Sequence, residues 1–153
     1  MLQTNSTLHR SFTVLAAVAL LSFVVPAFGR EPAMNGGSAP GEGMALSATE
    51  SAVIAQTNAA RARSGLAPLV ADSQLMTGAR NHARWMAHNR NMSHGTGVTE
   101  NIAMGQVSAS DATASWMQSS GHRANMLGSS HTRIGVAMAR SANGTAYWCQ
   151  QFR

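Results

Sequence analysis

The stretch from Arg133 to Phe152 constrains this chain more than any other. Ile134, Val136 and Met138 alternate along Arg133–Arg140, the two-residue period of a strand with one face against a core. Asn143-Gly144 then supplies residues suited to the left-handed geometry of a type I′ turn, and Thr145–Phe152 returns as a second strand. The apolar face of such a hairpin needs a cover.

Helices are the natural cover. Ser47 or Thr49 is placed to cap a first helix running to about Arg63, with Gly65 as its stop. Asp72 caps a second, in which Leu75, Ala79, His82, Ala83, Met86 and Ala87 share one face. Asn89 to Gly97 reads as a loop and Asn101 to Met104 as a short strand. A third helix should begin at Ser110 or Asp111 and carry Trp116 and Met117, with Gly121 breaking it before a short helical turn at His122–Leu127. The expected fold class is α+β, a small antiparallel sheet covered by helices.

The start of the chain has another character. A polar opening with one positive side chain, Arg10, precedes an apolar run from Phe12 to Phe28, and Ala27-Phe28-Gly29 has the small residues of a cleavage site. Residues 1–29 are read as a secretory signal peptide cleaved after Gly29, with an uncleaved anchor as the alternative. No membrane span is expected after cleavage. Residues 30–47 hold four Gly and two Pro and read as a linker. The domain proper is expected over 48–153.

Charge and cysteine content narrow the partners. Cleavage would leave ten arginines, no lysine and six acids. The arginines are scattered along the sequence, which gives no nucleic-acid patch and at most a weak attraction to anionic envelope polymers. Cys149 is the only cysteine, so no intramolecular disulfide forms. Its place in an apolar strand predicts burial as a small hydrophobe.

Three residues carry the candidate chemistry. His94 and Glu100 lie six apart across a glycine-bearing loop, and His122 follows the third helix. Two imidazoles and a carboxylate suit Zn²⁺ or another divalent cation with water in an open position. They equally suit proton transfer, with the Glu orienting a His. The spacing matches neither H-E-x-x-H nor a paired-Cys motif. Each residue also has a purely structural role open to it. His94 would cross-link its loop, Glu100 would accept backbone N–H groups, and His122 would cap the short helix. His82 reads as a core histidine with a hydrogen-bond partner, Trp85, Trp116 and Trp148 as packing, and Asn125 as bonded to a turn backbone.

Several motifs occur in order: G-L-A-P-L at Gly65–Leu69, N-H-A-R-W-M-A at Asn81–Ala87, M-S-H at Met92–His94 and E-N-I-A at Glu100–Ala103. W-M-Q-S-S-G-H-R-A-N-M-L at Trp116–Leu127, I-G-V-A at Ile134–Ala137 and the closing Y-W-C-Q-Q-F complete the set. Together they resemble the CAP superfamily (cysteine-rich secretory proteins, antigen 5 and pathogenesis-related proteins), in particular its bacterial SCP-like branch. The resemblance spans essentially all of residues 50–152.

It implies an α-β-α sandwich, a secreted location (extracellular or periplasmic) and a cleft lined by two His and two Glu. His94 matches the first His, Glu100 the first Glu and His122 the second His. The second Glu falls three residues after Trp116, where this chain has Ser119. Thr99 also stands in place of the Gly that usually precedes the first Glu. The cleft set is therefore His94, Glu100, Ser119 and His122, with His94, His122 and Glu100 as metal ligands and no catalytic residue assigned. Zn²⁺ is the preferred cation, with Mg²⁺ or Ca²⁺ as alternatives, and no organic cofactor is expected. The missing acid removes a general base and turns the expectation from enzyme to binding module. The expected partner is a small hydrophobic, peptide or glycan ligand, or an envelope component, bound by a monomer. A metal-assisted hydrolase of peptide or cell-wall material and a structural protein without a cleft ligand are the alternatives.

Overall fold

The computed structural model describes residues 44–153; the expected signal peptide and residues 30–43 of the expected linker lie outside the described residues. Four helices and four strands follow in the order α1 (Ala48–Arg63), β1 (Val70–Ala71), α2 (Ser73–Asn89), β2 (Thr99–Met104), α3 (Ala109–Gln118), α4 (Ser120–Met126), β3 (Arg133–Arg140) and β4 (Ala146–Phe152). Among the described residues, no helix is long and apolar enough to cross a membrane.

Local chemistry sets the helix starts. Ser47 caps α1 in a reciprocal box: its Oγ accepts from Glu50 N–H at 3.2 Å, and Glu50 Oε2 accepts from Ser47 N–H at 2.8 Å. Just before it, Met44 and Leu46 pack against the core. Asp72 Oδ1 accepts from the N–H groups of Gln74 and Leu75, both at 3.0 Å, and so starts α2. The Glu50 carboxylate also binds Arg80 Nε at 2.7 Å, tying the start of α1 to α2.

The strand order is β1-β3-β4-β2. β3 pairs antiparallel with β4 and β4 with β2, whereas β1 pairs parallel with β3 through Val70–Arg133 and Ala71–Ile134. The sheet is thus mixed rather than wholly antiparallel. The difference is a two-residue strand too short to leave a periodic signal in the sequence. Layers lie on both faces, giving the α-β-α sandwich. Ala79, Ala83, Met86 and Ala87 of α2 pack with Ile102, Ala137, Tyr147 and Cys149 on one face. On the other, Val53 of α1 and Ala112 and Trp116 of α3 pack with Ile134, Val136, Trp148 and Phe152.

Three local expectations are corrected. The hairpin turn is not type I′, which needs positive φ at two successive residues. Only Gly144 has it, at 85°. Ser141 N–H instead donates to Thr145 O at 2.9 Å and Gly144 N–H to Ser141 O at 2.8 Å, closing a three-residue loop. Asn143 serves through its side chain, whose Oδ1 accepts from the Ser141 hydroxyl at 2.6 Å. The break after α3 falls at Ser119, extended at φ −90°, ψ 124°, and not at Gly121, which lies inside α4. Trp116 and Trp148 are buried as expected, but Trp85 is 45% exposed and stacks on His82 with centroids 5.8 Å apart. It projects beside, not onto, the alanine-lined face of α2.

Candidate functional site

Glu100 is the centre of the site because strand pairing puts it where several elements end. It opens β2 opposite Gln151 of β4, on the face covered by α2. Its side chain is 1% exposed, so its charge must be met from within the protein. Oε1 accepts from Gln151 Nε2 at 3.0 Å and from the Cys149 thiol at 3.1 Å. Oε2 accepts from Gly95 N–H at 2.9 Å and lies 3.3 Å from His94 Nδ1 and 3.6 Å from His82 Nε2. Burial pushes the Glu100 pKa up, but the hydrogen bonds from Gln151, Gly95 and Cys149, with the charge of His82, outweigh it and leave the pKa lowered. Glu100 is an anion at neutral pH.

The structure therefore brings His94 and Glu100 together, as the sequence spacing suggested. It also adds His82, Gly95, Cys149 and Gln151 to them. His82 is half-buried rather than a core residue, and its Nε2 lies 2.8 Å from the Ser93 carbonyl. The i, i+2 alternation of β4 was the available signal for Cys149 and Gln151, since both share a sheet face with Glu100. Cys149 is buried as expected, and burial pushes its thiol pKa strongly up, followed by the charge of Glu100. It is a neutral S–H donor, not a nucleophile.

His122 reaches the same strand from the opposite layer, within α4 rather than capping it. A buried polar chain places it. Gln150 Nε2 donates to Thr57 Oγ1 at 2.8 Å, Asn101 Nδ2 to Gln150 Oε1 at 3.1 Å, and Asn101 Nδ2 to the His122 carbonyl at 3.0 Å. Asn125 Nδ2 bonds the Glu100 carbonyl at 3.3 Å and Asn101 Oδ1 at 2.9 Å, so its partner is a strand and not a turn. Burial lowers the His122 pKa, and the nearby charge of His94 lowers it further. Neutral imidazole is the form a metal or a proton requires. Ser119 stands at the joint of α3 and α4, half-buried, with no side-chain hydrogen bond capping α4.

The arrangement presents one exposed imidazole, His94 at 57% side-chain exposure, held through Nδ1 by a buried carboxylate. A carboxylate on Nδ1 fixes the tautomer and turns the Nε2 lone pair outward. Glu100 itself has both oxygens engaged. Among the described residues, no three His, Cys, Asp or Glu side chains form a ready-made metal cage.

The comparisons cover the same residues. The family model of the Cysteine-rich secretory protein family, CAP, matches residues 54–152. Bacillus subtilis (strain 168) protein YkwD is 34% identical over 125 residues, covering 70% of this chain and 48% of that protein, so this chain spans about half the relative's length. An extracellular protein containing a SCP domain from Bacillus anthracis str. Ames superposes with a TM-score of 0.58 at 24% identity, over 69% of this chain and 40% of that one. An outer surface protein from Borrelia burgdorferi superposes with a TM-score of 0.60 at 16% identity, over 65% of this chain and 87% of that one. The cysteine-rich secretory fold needs no cysteine pair here, since packing and the buried polar chain hold the sandwich, and this chain belongs to the CAP family on its bacterial, SCP-like branch.

Proposed function

We propose that the chain is an exported CAP-domain binding module whose cleft at the start of β2 takes a divalent cation and, beside it, a small hydrophobic, peptide or glycan ligand. The observation that carries the reading is the His94–Glu100 contact at 3.3 Å, which leaves the exposed imidazole of His94 with a free, outward Nε2. The donors fit a borderline cation such as Zn²⁺: His94 and the neutral His122 would hold it, with Glu100 supplying the balancing charge. A bound cation would act as a Lewis acid toward a ligand carbonyl or phosphoryl oxygen. Ser119, where the family's second acid is expected, supplies no general base, so binding is favoured over hydrolysis. Export follows from the expected signal peptide over 1–29 and agrees with the extracellular and outer-surface character of the structural neighbours.

Calorimetric titration with Zn²⁺ tests the cation. A single binding event, abolished by His94→Ala with His122→Ala and retained in His88→Ala, is expected. An absent or unaltered isotherm overturns the reading. The engagement of both Glu100 oxygens favours a second reading, in which the cluster only fixes the 91–98 loop to the sheet. Under it, Glu100→Gln lowers thermal stability and no ligand affinity changes. Hydrolysis of peptide or cell-wall material by the unaltered chain, lost in Glu100→Gln with folding intact, would establish an enzyme instead.

A further inference from the structure

The end of α2, its Arg90 cap and the end of β3 line a half-open cavity of about 370 Å³. Arg84, His88 and Arg90 line it from α2 and its cap, and Arg140 and Ser141 line it from the end of β3. Three of the arginines that look scattered along the sequence, Arg84, Arg90 and Arg140, come together here because β3 runs beneath α2. No acid lines the cavity. Every acid among the described residues is engaged elsewhere: Glu50 with Arg80, Asp72 with Arg153, Glu100 in the cleft and Asp111 with Ser108.

The guanidinium groups keep most of their donors. Arg84 spends one N–H on Asn81 Oδ1 at 3.3 Å and Arg140 one on the Gly144 carbonyl at 2.8 Å. Arg90 makes no side-chain hydrogen bond among the described residues. Each guanidinium offers a planar fork of N–H donors to an anion in the cavity.

Arg90 adds an independent observation. It is the only non-glycine residue with positive φ among the described residues, at 51°. It occupies the left-handed cap of α2, where glycine carries no steric penalty. Complementing the helix dipole would explain a cation at His88 or Arg90. It explains neither Arg84, which lies before the last turn, nor Arg140, which comes from another element. A left-handed position occupied by arginine rather than glycine thus adds a third guanidinium-bearing residue to a lining that Arg84 and Arg140 already share.

We propose that this cavity binds a phosphate group, free or within a phosphodiester chain, through the guanidinium forks of Arg84, Arg90 and Arg140. Planar forks match the paired oxygens of phosphate, and several cations suit more than one negative charge. The site is separate from the His94–Glu100 cleft and does not depend on its occupancy.

The test is a titration of the full chain at low ionic strength, followed by NMR or calorimetry. Inorganic pyrophosphate is one probe, a short poly(glycerol phosphate) another, and malonate the dicarboxylate control. A single site is expected, with malonate weaker by about tenfold or more. Arg90→Gln and Arg140→Gln should each weaken phosphate binding by about tenfold, while the remote Arg63→Gln leaves it unchanged. Tighter binding of pyrophosphate assigns a small anion, and tighter binding of the oligomer assigns a polymer. Arg90→Gly separates function from folding: relief of the left-handed strain should raise Tm while phosphate affinity falls. Absence of binding to both phosphate probes, an equal loss in Arg63→Gln, or full affinity in Arg90→Gly overturns the proposal.

Discussion

The two faces of the sheet are built on opposite principles. Beneath α2 small side chains predominate: Ala79, Ala83 and Ala87 from the helix meet Ala137 and Cys149 from the sheet, with Met86, Ile102 and Tyr147 as the larger members. Helix and sheet come so close that a Cβ on Gly135 would lie 2.1 Å from the Leu75 carbonyl carbon. The other face is thick, with Trp116, Trp148, Phe152, Ile134 and Met126 filling a deep layer. At the end of the thin face Gln151 hydrogen-bonds Glu100 at 3.0 Å, and His82 Nε2 lies 3.6 Å from the same carboxylate. Most of the largest buried side chains lie on the thick face, and the candidate chemistry sits where the thin one ends.

Neighbouring positions on β3 give the sharpest way to break that contrast. Gly135→Ala adds one methyl against helix backbone, which cannot step aside as a side chain would. We expect a loss of about 4 kcal/mol or more. Val136→Ala removes two methyls from the thick face and should cost about 2 kcal/mol. Urea unfolding of the two variants decides, and an equal or reversed ranking would mean that α2 shifts freely over the sheet.

Arg61 extends the comparison to the thick side. It is 1% exposed and has no acid partner among the described residues: Nε donates to Ala67 O at 2.8 Å, Nη1 to Met126 O and Gly128 O at 2.9 Å, and Nη2 to His131 O at 3.2 Å. One fork thus fastens α1 to the 127–131 segment that leads from α4 into β3. Arg61→Met keeps much of the stem's packing and leaves the carbonyls without donors, for a loss of about 3 kcal/mol by chemical denaturation. If Arg61→Met is neutral, water satisfies those carbonyls and the thick face rests on apolar packing alone.

These two residues also show what the sequence could and could not reveal. Hairpin strands, the first two helix caps and the two buried tryptophans were legible because each depends on residues close in sequence, whereas α3 is capped by Ser108 and not by the expected Ser110 or Asp111. The resemblance to the family marked His94, Glu100 and His122 as cleft residues; of these the structure brings His94 to within 3.3 Å of Glu100, while His122 comes from α4 in the opposite layer. Arg61 was not distinguishable from a surface arginine, since its four acceptors lie in the loop after α1, at the last residue of α4 and in the loop that follows α4. The same holds for Arg84, Arg90 and Arg140, which converge because of a helix–strand crossing. Glu100's partners on β4 required a register, Glu100 opposite Gln151, that no local pattern specifies.

Acid titration isolates the charge buried at the end of the thin face. Glu100 has a pKa below its ordinary value of 4.5, so its contribution to stability is complete above that value and disappears as pH falls through the lowered one. Glu100→Gln keeps the shape but turns an amide N–H₂ toward existing donors, and should cost about 2 kcal/mol at neutral pH. Below pH 4.5 the gap between wild type and variant should narrow in urea unfolding. His122 acts at higher pH: its pKa lies below 6.5, so wild-type stability falls as pH drops below that value, and His122→Gln should flatten this part of the profile. A gap between wild type and Glu100→Gln that does not vary with pH would show that folding leaves the Glu100 pKa unshifted, and a gap that shrinks as pH rises above 4.5 would show that Glu100 is neutral when folded.

The smallest expected effects come from the two helix caps, one per face, and the comparison decides whether the faces are independent. Ser47→Ala and Asp72→Ala should each cost about 1 kcal/mol. Their contexts differ. Asp72 caps the turn containing Leu75 and Met76, the backbone that closes on Gly135, and its own N–H donates to Ile134 O of β3 at 3.0 Å. It also pairs with Arg153, and the backbone hydrogen bond from Leu75 is the main cause of its lowered pKa. Relaxing this cap should let the first turn of α2 lift slightly, which would make room for a methyl at position 135. Asp72→Ala with Gly135→Ala should therefore cost less than the sum of the single changes by about 1 kcal/mol, whereas Ser47→Ala with Gly135→Ala should be additive. Additivity in both pairs would place the rigidity of the thin face in the alanine packing of α2 rather than in its capped first turn.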